Sequence, residues 1–291
     1  MQIPNRPPVV VGVTGTAAGL AAVRLAAREA VSRGTSLSVV HAFTWTESEV
    51  AWASARHAAA HVVEAAVATA QRSTPGVDVR GQLVDGPAGR VLRKLSRTAV
   101  LLVLGDDDLA ATGRLTAGSA LLETVTQAWC PVAVARGPRP PSGRVLAAVD
   151  GSASSVLALR FAGEDAHRRG VPLDVVHVVA PGREAAGHRL LDEMIAAVPG
   201  LPAARRRLLT GPPAPALVSA SRRAGLIALG PRGAGGAARF GAVAGELLRR
   251  GGCPTVFAHG RRAAARHIGA PGSGRETETG SGRGIETRSL N

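Results

Sequence analysis

The sequence predicts an α/β fold: two tandem, doubly wound, five-stranded parallel sheets. Three observations predict it. Short continuous apolar runs alternate with segments of helical period, as in parallel sheets whose strands are buried on both faces. The whole pattern is written twice. Each copy closes on a Cys-Pro followed by an apolar run, "WCPVAVARG" and "GCPTVFAHG", which gives each sheet a final strand.

The elements follow in order. "PVVVGV" is the first strand, bounded by turn residues. Leu20, Val23, Ala27 and Val31 then recur at helical spacing, and Gly34 supplies a C-terminal stop. "SLSVVHAF" is the second strand, and an alanine-rich helix runs roughly from Val50 to Gln71. "VDVRGQLV" is strand-like, "PAGRVLRKLS" helical, "AVLLVLG" a strand, "SALLETVTQAW" a helix and "PVAVAR" the last strand. The second copy opens on "RVLAAVDGSASSVLALRFAGEDAHRRGVPLDVVHVV" from Arg144. An offset of 136 residues relates Thr14 to Asp150 and His41 to His177, and one of 125 relates Gly86 to Gly211 and Gly105 to Gly230. The second copy is therefore shorter in its middle, and each copy is domain-sized rather than a solenoid unit.

This gives domain 1 as 1–137, a linker at 138–143 inside the proline-rich "RGPRPPSGR", domain 2 as 144–260, and a tail at 261–291. The tail is polar and glycine-rich, with almost nothing to bury, and is expected to be disordered.

Composition narrows the function classes. Apolar residues make up 45% of the 291, but aromatics only 2%, with no tyrosine, so the cores are built from Val, Leu and Ala. The formal net charge is +14, carried by arginine, with Lys94 the only lysine. Such a charge points to anionic partners or to solubility. No helix-turn-helix, zinc-finger or RNP signature accompanies it, and residues for base stacking are scarce, so a cognate nucleic acid is not expected. Cys130 and Cys253 do not make a disulfide framework. They are read as packing and turn residues rather than a redox pair. No secretory h-region or span-length apolar run is present, so a cytoplasmic protein is expected, with no membrane partner.

The loops carry the chemistry. A glycine-rich turn between a strand and a helix N-terminus lets backbone N–H groups approach a phosphate, and the helix dipole favours its charge. In a doubly wound sheet such loops meet beyond the carboxyl ends of the strands. Copy 1 offers Thr14, Gly105, Gly118 and Ser119; copy 2 offers "DGS" at Asp150, Gly151 and Ser152, then "LGPRGAGGAARFGAV" with Gly230, Arg232, Gly233, Gly241 and Ala242.

The "VDGS" turn, the "VVHV" second strand, the glycine loop and the "CPV" final strand, in order and twice, resemble the universal stress protein family in its tandem two-domain form. The resemblance covers nearly the whole chain outside the linker and tail. It implies an adenine-nucleotide alpha-hydrolase-like fold and a regulatory role in stress response. Because family members commonly dimerise through their final strands, it also implies an intramolecular pseudo-dimer in which Val132 to Arg136 pairs with Thr255 to His259 and covers two exposed edges. ATP-binding members show Gly, two residues, Gly, nine residues, then Gly-Ser or Gly-Thr, with an early aspartate on the nucleotide and adenine beside the second strand, here near Val178. The implied cofactor is ATP, with magnesium, and the implied partner an adenine nucleotide.

Neither copy matches in full. Copy 1 has Thr14 in place of the early aspartate and Asp108 in place of the second glycine, with Asp106 and Asp107 beside it. At about 4 Å one like-charge pair costs about 4 kcal/mol at an effective dielectric of 20. Copy 2 keeps Asp150, Gly230 and Gly233, but its loop is two residues shorter before Gly241 and Ala242 replaces the hydroxyl residue. That removes a donor worth about 1 kcal/mol, which Arg232 and Arg239 can offset with charged contacts. Copy 2 is therefore the expected nucleotide site and copy 1 a degenerate one.

Other patterns are weighed and set aside. "GAGGAA" from Gly233 fits a dinucleotide fingerprint but lacks the following βαβ context. His57, His61 and Glu64 share a helix face at metal-ligand spacing, although an exposed polar face is the commoner explanation of such a pattern; no metal is expected. His41 and His177 read as satisfied strand histidines. Ser152 has no nucleophile elbow, and no group is placed for efficient hydrolysis, so no catalytic residue is assigned and the chain is not expected to be an enzyme. Two alternatives stay open: a nucleotide-free interaction or dimerisation scaffold, and nonspecific nucleic-acid binding through arginine.

Overall fold

The computed structural model describes residues 6–44, 49–107, 109, 119–137, 142–233 and 240–260. The tail at 261–291, most of the linker, and Asp108, Gly118 and Arg239 lie outside the described residues.

The first copy contributes β1 (Val9–Gly12), α1 (Ala17–Arg33), β2 (Leu37–Phe43), α2 (Glu49–Ser73), β3 (Val79–Asp85), α3 (Ala88–Leu95), β4 (Leu101–Leu104), α4 (Ala120–Gln127) and β5 (Val132–Val134). The second contributes β6 (Val145–Ala148), α5 (Ala153–Arg169), β7 (Leu173–Val179), α6 (Glu184–Ala196), β8 (Ala204–Thr210), α7 (Pro213–Ser221), β9 (Leu226–Leu229), α8 (Ala242–Arg250) and β10 (Thr255–Phe257).

Local chemistry explains the long helices that follow each first strand. Thr16 and Ser152 accept from the amides of Gly19 and Ser155 at the two N-termini. Gly34 and Gly170 end the same helices in the left-handed region, at φ 60° and 62°. The buried face of α1 is mostly alanine (Ala22, Ala26, Ala27 and Ala30, with Val23), which lets the helix lie close on the sheet. Val31 departs from expectation: it is 49% exposed, because it stands one residue past that stripe and is turned about 100° away.

All ten strands join one sheet in the order β3-β2-β1-β4-β5-β10-β9-β6-β7-β8. Each half is parallel, and its sequence order turns back between the first strand and the fourth. The halves meet through β5 and β10, which pair antiparallel with Val132 opposite Phe257 and Val134 opposite Thr255. The expected intramolecular pairing of final strands is therefore present, and residues 6–260 form one compact unit.

Beyond that pairing, the halves exchange side chains across the pseudo-twofold. Arg136, just past β5, donates to the Leu248 carbonyl of α8. His259, at the matching place past β10, bonds through Nε2 to the Val125 carbonyl of α4 at 3.0 Å. A carbonyl can only accept, so Nε2 carries the proton. Burial pulls His259 down to about 4; the bond to Val125 opposes this and the Arg232 guanidinium adds to it. An unfolded histidine takes its proton near pH 6.5, and the folded one resists until about pH 4. Its contribution is therefore complete above about pH 6.5 and drains away as the pH falls towards 4. Denaturant titrations between pH 7.5 and 4.5 should show a loss of about 2–3 kcal/mol that His259→Gln removes from the profile. An unchanged slope in that variant would locate the pH sensitivity elsewhere.

Among the described residues no helix is long and apolar enough to cross a membrane. Cys130 and Cys253 are buried and unbridged, and burial pushes the Cys253 thiol up to about 12, which suits packing rather than thiolate chemistry.

Candidate functional site

The crevice in each half opens beyond the carboxyl ends of the first and fourth strands, where the strand order turns. In the second half it is a cavity of about 250 Å³. Ala148, Val149 and Val176 form its floor, His177 and Val178 one wall, and Leu217 on α7 the other. Gly230, Arg232 and Gly233 come from the loop after β9, and Gly241 and Ala242 from the start of α8. Of the nine residues expected in copy 2, Asp150, Val178, Gly230, Arg232, Gly233, Gly241 and Ala242 line this cavity. Gly151 and Ser152 do not; they make the turn that presents Asp150.

That turn is built tightly. Gly151 sits at φ 84°, a conformation that favours glycine. Asp150 Oδ1 accepts from the Ser152 amide at 3.0 Å and from its hydroxyl at 2.6 Å. Ser152 Oγ also accepts from the Ser155 amide at 3.2 Å, so it works as a helix cap and shows no arrangement for nucleophilic attack. Ser154 Oγ donates to the Arg232 carbonyl at 2.8 Å, tying the β9 loop to α5. Gly230 lets that loop pass: a Cβ there would stand 2.3 Å from Ser154 Oγ. A Cβ on Gly233 would stand 3.2 Å from Asp150 Oδ2, so the carboxylate and this glycine face each other across the mouth.

The start of α8 is the notable electrostatic feature. Its cap, Gly241, supplies no side-chain acceptor. Among the described residues no side chain caps the start of this helix, and Gly241, Ala242, Val243 and Ala244 line the crevice; a helix start of this kind favours an anion. Ala242, counted from the sequence as a lost hydroxyl donor, adds no side-chain acceptor of its own.

The first half is different. Its cavity is about 70 Å³ and includes Thr14, Gly105 and Asp107. Asp107 accepts from Thr14 Oγ1 at 3.0 Å and from Thr16 Oγ1. Asp106 pairs with Arg136 at 2.8 Å. Ser119 accepts from the Leu122 amide at 3.1 Å and so caps its own helix. Thr14 and Asp107 correspond to Asp150 and Arg232 in the other half: the carboxylate has moved from the strand turn to the opposite loop. The sequence shows both changes but not that they touch.

His41 and His177 bond through Nδ1 to the carbonyls of Val13 and Val149, at 2.7 and 2.8 Å, as satisfied strand histidines do. On α2, His61 Nε2 faces His57 Nε2 at 2.9 Å while its Nδ1 meets Glu64 at 3.2 Å. Glu64 and His57 thus sit on opposite ring nitrogens, and among the described residues no three ligating groups converge on a metal position. Sequence reasoning missed Leu217 and the backbone floor at Ala148 and Val176, which carry no signal beyond apolarity.

Comparison with known proteins agrees with this architecture. The model of the universal stress protein family matches residues 5–136 and again 141–259. A universal stress protein of Mycolicibacterium smegmatis is 30% identical over 260 residues, covering 78% of this chain and 88% of its own. One from Mycobacterium tuberculosis is 29% identical over 286 residues, covering 86% and 95%. The crystal structure of a universal stress protein from Archaeoglobus fulgidus superposes with a TM-score of 0.68 at 18% identity, over 87% of this chain and 98% of that one. With two matches in tandem, one on each half of the ten-stranded sheet, the chain belongs to the universal stress protein family.

Proposed function

We propose that the second half binds an adenine nucleotide, ATP with magnesium or a relative, and that the bound state regulates a partner interaction without efficient catalysis. The observation that carries this is the crevice itself: Asp150, Gly230 and Gly233 line a cavity at the switch point, together with the start of α8, which has no side-chain cap among the described residues. At about 250 Å³ the cavity is below the roughly 300–1,000 Å³ of sites that enclose a whole drug-sized ligand. It suits a base held beside His177 and Val178, with phosphates on the open rim near Arg232 and the α8 amides. The first half serves as a scaffold, its crevice narrowed and its polar groups engaged by Asp107.

Titration calorimetry with ATP and magnesium tests this. One nucleotide per chain is expected. Asp150→Ala and Gly233→Asp should each weaken it at least tenfold, about 1.4 kcal/mol, the second by placing another carboxylate against Asp150. Ser119→Ala should leave it unchanged. Absence of heat at millimolar ATP, in protein shown to be free of nucleotide, supports a nucleotide-free scaffold instead.

A further inference from the structure

A third cavity, of about 390 Å³, opens between the two halves at the opposite end of the strands. Its walls come from α1 (Arg28, Ser32), α5 (Arg168, Arg169) and the segment entering β6 (Ser142). Leu25 and Val171 give it an apolar floor. Three guanidinium groups line it against one carboxylate, Glu29, which is already engaged by Arg33 and by Arg169 at 2.8 Å.

The arginines here do not all have structural employment. Arg33 and Arg169 face Glu29 and Asp165 in cross-paired salt bridges. They also stand in the last turns of α1 and α5, where cations offset the partial negative charge of helix C-termini. Arg6 adds a further cation on the Arg33 carbonyl. Arg28 has no hydrogen-bond or ion-pair partner among the described residues. Arg168 reaches Asp165 and Glu164, at 3.3 and 3.8 Å, yet its Nε is buried with nothing to donate to. Arg33 registers the surplus: burial first and Arg168 next lower it to about 10.

The surplus also breaks the internal symmetry. The offset of 136 that pairs Glu29 with Asp165 and Arg33 with Arg169 sets Arg28 against Glu164 and Ser32 against Arg168. A requirement of the seam alone would repeat on both sides of the pseudo-twofold. Arg28 and Arg168 instead come together on one side, around the cavity.

We propose that this seam cavity is a binding site for a small phosphate-bearing anion, held by Arg28, Arg168 and Arg169 and entered past Ser32 and Ser142. It is separate from the nucleotide crevice and does not depend on it. Guanidinium groups match phosphate oxygens in pairs, and a ligand here would touch both halves at once.

The test uses inorganic pyrophosphate as the probe and the full chain carrying Asp150→Ala and Gly233→Asp, so that the crevice is disabled in advance. Binding is expected in the micromolar to millimolar range and should survive a matching excess of chloride. Arg28→Ala should weaken it about tenfold with no change in melting temperature, and Arg28→Lys should recover part of the loss. Ser142→Asp, which sets a carboxylate on the opposite wall, should weaken it independently. No binding at millimolar pyrophosphate overturns the proposal, as does affinity unchanged by both Arg28→Ala and Ser142→Asp. Neither result bears on the nucleotide crevice, which is tested in the unmodified chain.

Discussion

Asp165→Ala is expected to cost about 3–5 kcal/mol of folding stability, among the largest losses available from a single polar substitution in this chain. Asp165 is 1% exposed in the middle of the seam. Arg169 Nε lies 2.9 Å from its Oδ2, near enough for an ion pair though off the line of a hydrogen bond. Arg168 approaches Oδ1 at 3.3 Å and Arg33 at 4.0 Å. Removing the carboxylate strands three guanidinium groups with Glu29 as the nearest buried counter-charge, and an uncompensated buried charge is what makes such losses large. The β5–β10 pairing spans only three residues on each strand, so the seam has few backbone bonds to fall back on. Urea denaturation measures the loss directly. Replacing all four of Glu29, Arg33, Asp165 and Arg169 with Leu or Met should recover part of it, because apolar residues of similar volume often substitute for buried ion pairs at little cost, while Arg168 keeps only Glu164 as a partner among the described residues. A cost below about 1 kcal/mol for Asp165→Ala would mean that water screens the network.

The same quartet shows what could be read in advance. Strand and helix order was legible because apolar runs, cap residues and the two left-handed glycines are local signals, and because two copies can be checked against each other. The pairing of final strands was legible only through the family resemblance. Glu29, Arg33, Asp165 and Arg169 obey the offset that revealed the repeat, so their alignment was available too. Their contact was not: a pair within one helix and a pair across a pseudo-twofold look alike until β5 meets β10. Val31 was misplaced because its spacing fits a helix face, while the burial of that face depends on which side the sheet presents. In copy 1 the sequence shows Thr14 as a missing carboxylate and Asp107 as an added charge, with nothing to connect them. They stand 93 residues apart, and no periodicity links a strand turn to the loop that folds over it.

That contact leads to the second large effect. Asp107→Ser, made in a chain whose second crevice is already weakened by Asp150→Ala, is expected to strengthen ATP binding in the first half about tenfold over the parent variant. Three features make the first crevice ready for an anion apart from this side chain. Gly105 still allows close approach, since a Cβ there would stand 2.7 Å from the Ala18 backbone. Thr14 and Thr16 offer hydroxyl donors that Asp107 now accepts from. Asp106 is committed to Arg136 at 2.8 Å, so its charge is largely neutralised and it need not be changed. A carboxylate about 4 Å from a phosphate costs about 4 kcal/mol at an effective dielectric of 20. Screening at this open rim reduces the gain on its removal to about 1–2 kcal/mol, or roughly tenfold in affinity. Serine keeps a small polar group for the threonines and adds no charge. Calorimetry on the double variant and its parent gives the answer as an affinity, lost again on Gly105→Val, which would press against α1. If the double variant binds ATP no more tightly than its parent, Asp107 is not what closes the first half. The closure then belongs to the apolar walls that confine its cavity to about 70 Å³, with Leu92, Leu104 and Leu121 among them.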